Sequence, residues 1–397
     1  MKVRIVELLL ALPFVGLLFI LPFPGTVALR LLCLAAAIII AVKLWRRLDT
    51  PRIPCKPVLL AWAGLALLSL SYAVDPAYSL GEIKNELGYT MTAFVAFFAM
   101  THSRAKLRLW TLAVLSAVTV ISVWALVIWA GRGSWNDSAG HGGVGSFASL
   151  AVAAAPLAVL AWQGLERRAR FALAVVCVLA LLAAIASQQR ILWAVFGVQL
   201  AAGIGLLSYS RILRLKPFML ALVLTGSLAA AGAAVLTIHG QKVDESPVEY
   251  YDLGNDFRLQ QWVRIMDRIQ EKPLSGAGFG REAMKKAYPD LVPTTVPMSL
   301  LWHPHNVFLT YGVAMGLPGI LVLLLVFAAL IATYARHLRA ASVDERMIAI
   351  AGIAIIIGIV VRNLTNDLFL RDGALMFWAL NGALLGYLAR QPRDGSA

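Results

Sequence analysis

Residues 317–339 read LPGILVLLLVFAALIATYARHLR, an apolar run that ends in a cluster of basic side chains. The part from Leu317 to Ala335 contains no charged residue. A helix needs roughly 20 apolar residues to cross a hydrocarbon layer of about 30 Å. The stretch therefore predicts a membrane-spanning helix followed by a basic loop.

The same pattern recurs along the chain of 397 residues, which is 60% hydrophobic and only 14% charged. Its mean hydropathy of +0.77 is outside the range of an ordinary soluble domain. The composition predicts an all-α integral membrane protein with about twelve transmembrane helices, the first retained rather than cleaved. The apolar runs lie near 5–21, 25–44, 57–74, 87–101, 109–131, 144–164, 171–187, 190–208, 217–238, 317–335, 347–361 and 373–389.

The formal net charge of +14 is distributed unevenly between the loops. Lys and Arg are concentrated in alternate loops, at 43–56, 104–108, 167–170, 211–216 and 336–346, whereas the short loops between them hold one or two basic residues. By the positive-inside rule this alternation predicts that both termini are cytoplasmic. Because topology explains the positive charge, nucleic-acid binding is disfavoured.

This topology divides the chain into nine N-terminal transmembrane helices at 1–238, a large periplasmic loop at 239–316 and three C-terminal transmembrane helices at 317–397. Within the spans only Glu7 and Arg30 are clear charged exceptions. An ion-coupled transporter usually carries ionisable residues deep in its helices. The spans therefore argue against a transporter or flippase and direct attention to the loop.

Residues 256–271 of that loop, DFRLQQWVRIMDRIQE, have the periodicity of an amphipathic helix capped by Asn255 or Asp256. We expect it to lie against the membrane or the helical bundle. Arg258 falls within the apolar arc, where it either snorkels outward or points into a cleft. Arg264 and Arg268 are either solvated or paired with Asp267 and Glu271, or they form a basic wall facing a lipid-linked phosphate.

Two other features are predicted to face the same side of the membrane. Arg190 lies between two apolar runs, where an arginine is usually an anchor to lipid headgroups. The glycine-rich loop 132–143 contributes His141 and is a plausible flexible gate.

Residues 301–309 read LWHPHNVFL, and three interpretations of their polar residues are open. His303 and His305 could bind a metal, but no carboxylate lies within the stretch and Pro304 restricts the backbone between them. Asn306 could cap the helix that follows. A histidine could instead act as a general base, because the unperturbed imidazole pKa of about 6.5 lies near neutral pH.

Four motifs occur in a recognisable order: RLQQW at 258–262, PLSGAGFG at 273–280, HN at 305–306 and YGVAMGLPGIL at 311–321. This order resembles the O-antigen ligase and polymerase family over roughly residues 250–335. The resemblance implies a metal-independent, inverting glycosyltransferase of the bacterial inner membrane, without a cofactor and with a periplasmic active site. Its fold would be similar to that of the GT-C-type lipid-dependent glycosyltransferases.

The resemblance also implies the substrates and singles out His305 for catalysis. An undecaprenyl-diphosphate-linked O-antigen would be the donor and the lipid A-core oligosaccharide the acceptor, in a site bordered by membrane lipids. His305 would be the catalytic base. Because the planar guanidinium binds phosphate oxygens bidentately and stays charged, we hypothesise that Arg190 and Arg258, with Arg264 as a further candidate, bind the donor diphosphate. The secondary candidates for the site are His303, Asn306, Arg268 and Trp262.

The alternatives within the family are an O-antigen polymerase and relatives that transfer the glycan to protein. The short chain favours the ligase over the protein-directed relatives. The alternative from another class is a lipid-linked-sugar flippase.

Overall fold

The structure is a computed structural model that describes residues 2–133, 135, 143–245, 257–292, 302–366 and 372–392. Fifteen α-helices and no strand occur within these ranges. The helices are α1 (Lys2–Ile20), α2 (Val27–Leu44), α3 (Lys56–Leu68), α4 (Pro76–Ile83), α5 (Tyr89–Met100), α6 (Arg104–Arg132), α7 (Val144–Trp162), α8 (Arg167–Ala186), α9 (Arg190–Tyr209), α10 (Pro217–Glu245), α11 (Phe257–Glu271), α12 (Ala283–Ala287), α13 (Val307–Ala335), α14 (Val343–Arg362) and α15 (Asp372–Leu388).

The predicted all-helical membrane fold is confirmed at a coarse level, since each of the twelve apolar runs overlaps a helix. By length and composition, seven helices in the described ranges could cross a membrane, namely Val27–Leu44, Arg104–Arg132, Val144–Trp162, Arg167–Ala186, Arg190–Tyr209, Pro217–Val235 and Val307–Ala335. Glu7–Ile20 and Lys56–Ser71 are shorter apolar helices. The protein is therefore a multi-pass membrane protein, and the number of twelve spans stays a prediction.

The helices at both ends of the predicted large loop are longer than the apolar runs. α10 continues to Glu245 and α13 begins at Val307, so helical turns occupy both ends of the segment 239–316. The predicted cap of α11 at Asn255 or Asp256 lies outside the described residues, as does His141.

Aromatic side chains from distant parts of the sequence pack together in the centre of the bundle. The Trp378 ring of α15 stacks on Trp62 of α3 with the ring centroids 5.5 Å apart and meets Phe94 of α5 edge-on at 5.7 Å. Arg30, an exception in the charge pattern of the spans, is buried and forms an ion pair with Asp372 at the start of α15. An arginine is tolerated there because its charge has a partner.

Polar contacts establish the relative direction of α9 and α14. Gln199 of α9 donates a hydrogen bond to the carbonyl oxygen of Ala354 (3.0 Å), near the middle of α14. Arg346, near the start of α14, donates to the carbonyl oxygen of Ser210, just after α9 (2.7 Å). The two helices therefore run antiparallel, and α9 begins at the end of the bundle where α14 finishes.

α13 consists of two helices joined at Gly316, whose φ of 67° and ψ of −162° are not helical. The chain reverses its direction sharply at Gly316. The reversal is evident from Gly319, where an added Cβ atom would lie 2.5 Å from the carbonyl oxygen of Tyr311. In a straight helix these two positions are more than two turns apart. The first segment, 307–315, therefore folds back against the start of the second, 317–335.

Candidate functional site

Residues 303–306, here called the HPHN turn, directly precede the first segment of α13. His305 has a φ of 51°, a left-handed conformation that non-glycine residues rarely adopt. The peptide group between Pro304 and His305 is held at both ends. The indole Nε1–H of Trp262 donates to the Pro304 carbonyl oxygen (2.7 Å), and the His305 N–H donates to Nδ1 of His303 (3.1 Å).

Asn306 is the N-cap of α13, as predicted. Its Oδ1 atom accepts hydrogen bonds from the N–H groups of Phe308 (2.9 Å) and Leu309 (3.2 Å), two donors that a helix start leaves without intrahelical partners. Its Nδ2 atom donates to the carbonyl oxygen of Leu364 (3.1 Å). The HPHN turn is thereby attached to the segment just after α14.

α11 has the amphipathic character that the periodicity predicts. Its packed side carries Gln261, Ile265 and Ile269, which are all buried. Trp262, adjacent to this side, contacts the HPHN turn, and the half-buried Arg258 lies one helical turn before Trp262. The predicted apolar arc is only partly buried, because Leu259, Val263 and Met266 are exposed.

Arg264 and Arg268 lie on a different side of α11 and are engaged by acidic residues. Arg264 donates to the backbone carbonyl oxygen of Asp290 (2.9 Å). Arg268 forms ion pairs with Asp290 (3.0 Å) and Glu271 (2.9 Å), and its hydrogen bond lowers the pKa of the Asp290 carboxyl group. The predicted pairing with Glu271 is therefore confirmed for Arg268, whereas Asp290, rather than the predicted Asp267, is the acidic residue that both arginines contact.

Arg190 is the first residue of α9 and is half-buried. Because α9 and α14 are antiparallel, Arg190 lies at the same end of the bundle as Arg362, the last residue of α14. Arg362 is completely buried and donates to the carbonyl oxygen of Gly145 at the start of α7 (3.4 Å). The next residue, Asn363, accepts a hydrogen bond from the N–H of Val307 (3.0 Å), so the HPHN turn lies at this end too.

The segment PLSGAGFG, here called the glycine loop (residues 273–280), is wedged between α13 and the segment that joins α3 to α4. The N–H of Ala277 donates to the Val313 carbonyl oxygen (2.8 Å), while the Ala277 carbonyl accepts from Val74 (2.9 Å). A Cβ at Gly276 would lie 2.3 Å from the backbone of Ala314. The glycines of this loop therefore permit close contact between its backbone and the backbone of α13.

Within the described ranges, no group of three or more His, Cys, Asp or Glu side chains is placed to hold a metal ion. Both ring nitrogens of His303 instead face hydrogen-bond donors, with the Arg281 guanidinium 2.6 Å from Nε2. Independence from metal stays a prediction of the sequence.

Arg281 and Arg362 were not among the residues predicted for the site. Arg281 directly follows the glycine loop, and its guanidinium lies 4.7 Å from the centroid of the Trp302 ring. Its position next to a motif is the one sequence signal that singles it out. No sequence signal singled out Arg362, because a basic residue at the end of a membrane-spanning helix usually indicates only the orientation of that helix in the membrane.

A family model described as O-Antigen ligase (Wzy_C) matches residues 175–324, somewhat more than a third of the chain. The matched region contains Arg190, α11, the glycine loop and the HPHN turn. No curated protein matches the chain. The match confirms the resemblance to the O-antigen ligase and polymerase family that the order of the motifs indicated.

Proposed function

Because this chain belongs to the O-antigen ligase/polymerase family, we propose that it is an O-antigen ligase. It transfers a glycan from undecaprenyl diphosphate to a sugar hydroxyl of the lipid A-core oligosaccharide, with inversion at the anomeric carbon. The observation that carries the proposal is the HPHN turn, where a half-buried histidine is held in a rare backbone conformation by two independent contacts. Backbone strain that its surroundings hold in place is typical of active sites.

His305 is the general base in this proposal. It takes the proton of the acceptor hydroxyl as the hydroxyl oxygen attacks the anomeric carbon of the donor sugar. The bond between that carbon and the diphosphate oxygen breaks, and its electron pair leaves with undecaprenyl diphosphate. General-base catalysis of this kind typically contributes a factor of about 10²–10⁴ in rate.

Arg258 and Arg190 bind the donor diphosphate. A guanidinium group stays charged at all relevant pH values and binds phosphate oxygens through two parallel hydrogen bonds. Such donors also stabilise the negative charge that develops on the leaving group, which in other enzymes is a task for a metal ion. Arg264 is a weaker candidate, because Asp290 already engages it.

The site belongs on the periplasmic face of the inner membrane, with both termini in the cytoplasm. The alternation of basic loops supports this orientation, since it assigns the HPHN turn to the side opposite the Lys- and Arg-rich loops. His337, just after the other end of α13, then lies in a cytoplasmic loop.

The central experiment measures glycan transfer by purified protein in liposomes, with the lipid-linked donor and the acceptor supplied together. His305→Ala should lower kcat by about 10²–10⁴ while donor binding remains near wild type. His337→Ala is the matched control and should transfer normally. Normal transfer by His305→Ala would refute the base assignment, and normal transfer by Arg258→Ala would remove that arginine from the site.

A gene knockout distinguishes the ligase from the polymerase. A ligase knockout leaves the lipid A-core without any O-antigen, and lipid-linked polymer accumulates. Core that carries a single repeat would indicate a polymerase. If the wild-type protein transfers no glycan but moves the lipid-linked donor across the bilayer, it is a flippase instead.

A further inference from the structure

We infer that Arg281 and His303 form a positioning pair that holds His305 in its left-handed conformation. The inference rests on the proposed function, because it assigns a task to two residues around the general base. Neither residue needs to touch the substrate. Each acts through the next, from Arg281 to the His303 ring and from that ring to the His305 backbone.

Arg281 is held firmly by its chain neighbours. The N–H of Phe279 donates to Oγ of Ser69 (3.1 Å), and the N–H of Glu282 donates to the Tyr78 hydroxyl (2.8 Å). These contacts attach both sides of Arg281 to the segment around α4. Its guanidinium is further ordered by the Trp302 ring and lies 2.6 Å from Nε2 of His303, so it limits where the His303 ring can lie.

His303 is 1% exposed, and its ring lies against the His305 ring with the centroids 3.7 Å apart. A neutral imidazole has one acceptor nitrogen, and an imidazolium has none. His303 can therefore accept from only one of the two donors that face its ring. When Nδ1 accepts from the His305 N–H, Nε2 carries the proton, and Arg281 limits the position of the ring by contact rather than by a hydrogen bond. A further proton on Nδ1 would remove the bond to the His305 backbone. This arrangement suits an acceptor of hydrogen bonds and is unfavourable for a residue that must take up a proton.

The bond from the His305 N–H to the His303 ring has a known counterpart in turns. Asn and Asp side chains commonly accept a hydrogen bond from the N–H two residues later, in the Asx-turn. His303 makes the same connection through Nδ1, across Pro304. A left-handed conformation is unfavourable for a residue with a Cβ atom. The His303 and Trp262 contacts on the Pro304–His305 peptide oppose that cost.

The first test exploits this likeness by comparing His303→Asn with His303→Leu. Asn keeps an acceptor for the His305 N–H, whereas Leu fills the space without one. We expect His303→Asn to transfer within about tenfold of wild type and His303→Leu to lose about 10²-fold, the scale for a misplaced catalytic group. The loss should be in kcat, with KM for the lipid-linked donor little changed. Equal inactivity of both variants would overturn the inference and favour His303 as the base.

The second test asks whether Arg281 acts through His303. Arg281→Lys keeps a long cationic side chain beside the His303 ring and should retain most activity, whereas Arg281→Met should lower kcat by about tenfold or more. The double variant Arg281→Met/His303→Leu should have the same kcat as His303→Leu alone, because Arg281 affects His305 only through the His303 ring. Multiplied losses, or a fully active Arg281→Met, would refute the pairing.

His305→Ala, measured in parallel, separates this inference from the proposed function. If His305→Ala transfers normally, the general-base assignment fails whatever the other variants show. If His305→Ala is inactive while Arg281→Met and His303→Leu are both wild type, the positioning pair alone fails. Thermal unfolding of each variant in detergent identifies a loss of fold, and Arg281→Met keeps the test decisive should the buried His303→Leu variant unfold.

Discussion

Gly316→Ala is the substitution that most directly tests how the fold places His305. Gly316 has a φ of 67° and a ψ of −162°, a region that is essentially restricted to glycine. A Cβ there would also lie 2.6 Å from the carbonyl oxygen of Pro273 and 2.7 Å from that of Ser275. Adding one methyl group at this position therefore causes both backbone strain and steric overlap.

The conformational cost is about 1–3 kcal/mol, and overpacking a close-packed site typically costs another 1–3 kcal/mol. Together they amount to roughly 2–6 kcal/mol, a large share of the 5–15 kcal/mol that stabilises a typical folded domain. The chain could relieve both by straightening α13 at residue 316, but this would move segment 307–315 and the turn before it. We therefore expect Gly316→Ala to lose stability or glycan transfer, and in most conditions both.

The assay combines the thermal unfolding midpoint in detergent with the rate of transfer in liposomes. Gly64→Ala is the matched control, because Gly64 lies within α3 and a Cβ there would meet no atom within 4 Å. Alanine is about 1 kcal/mol more favourable than glycine inside a helix, so this control should be at least as stable as wild type. A Gly316→Ala protein that matched wild type in both measurements would refute the argument.

Three further predictions follow from contacts around the site. Trp262→Phe keeps an aromatic ring but removes the N–H that holds the HPHN turn. We expect kcat to fall about 5- to 150-fold, if the 1–3 kcal/mol cost of an unsatisfied buried carbonyl opposes the active conformation; an unchanged kcat would contradict this. Arg264→Ala should reduce donor binding far less than Arg258→Ala in a lipid-donor binding assay, and loss of its exposed ion pair should leave the unfolding midpoint nearly unchanged; equal binding losses would return Arg264 to the site. Lys286 donates a hydrogen bond to Asp75 and lowers the pKa of that carboxyl group. The stabilisation from this pair is therefore complete above about pH 4 and is lost as the pH falls through the lowered pKa. Asp75→Asn should flatten the acid side of a plot of unfolding midpoint against pH, and an unaltered plot would show that the pair contributes nothing to stability.

The sequence predicted most of the helices because each one depends on local periodicity and apolar length. The same reasoning found α11 and the cap at Asn306, which are also local features. It did not predict that Leu259 and Val263 would be exposed, since an apolar residue can face lipid or protein with the same pattern. The sharp reversal at Gly316 was missed as well, because the residues on both sides read as helix formers.

The parts of the site that could not be predicted are contacts between residues far apart in the chain. Asp290 engages Arg264 and Arg268 across more than twenty residues, whereas helical spacing suggested their neighbour Asp267. The stacking of Arg281 on Trp302 is of the same kind. Such partners are decided by how loops pack, and periodicity within one helix contains no information about that packing.

The four motifs that resemble the family are connected to one another by direct contacts. Trp262 holds the carbonyl group of Pro304, and Ala277 pairs its backbone with Val313 in the segment that follows the HPHN turn. Gly316 then allows that segment to fold back. Trp262, Ala277 and Gly316 therefore each help to fix the position of the HPHN turn, which contains His305. Substitutions at these three positions should share one kinetic signature, a reduced kcat with a nearly normal KM for the donor. Arg258→Ala, in the same motif as Trp262, should instead raise that KM, because Arg258 binds the donor in the proposed mechanism.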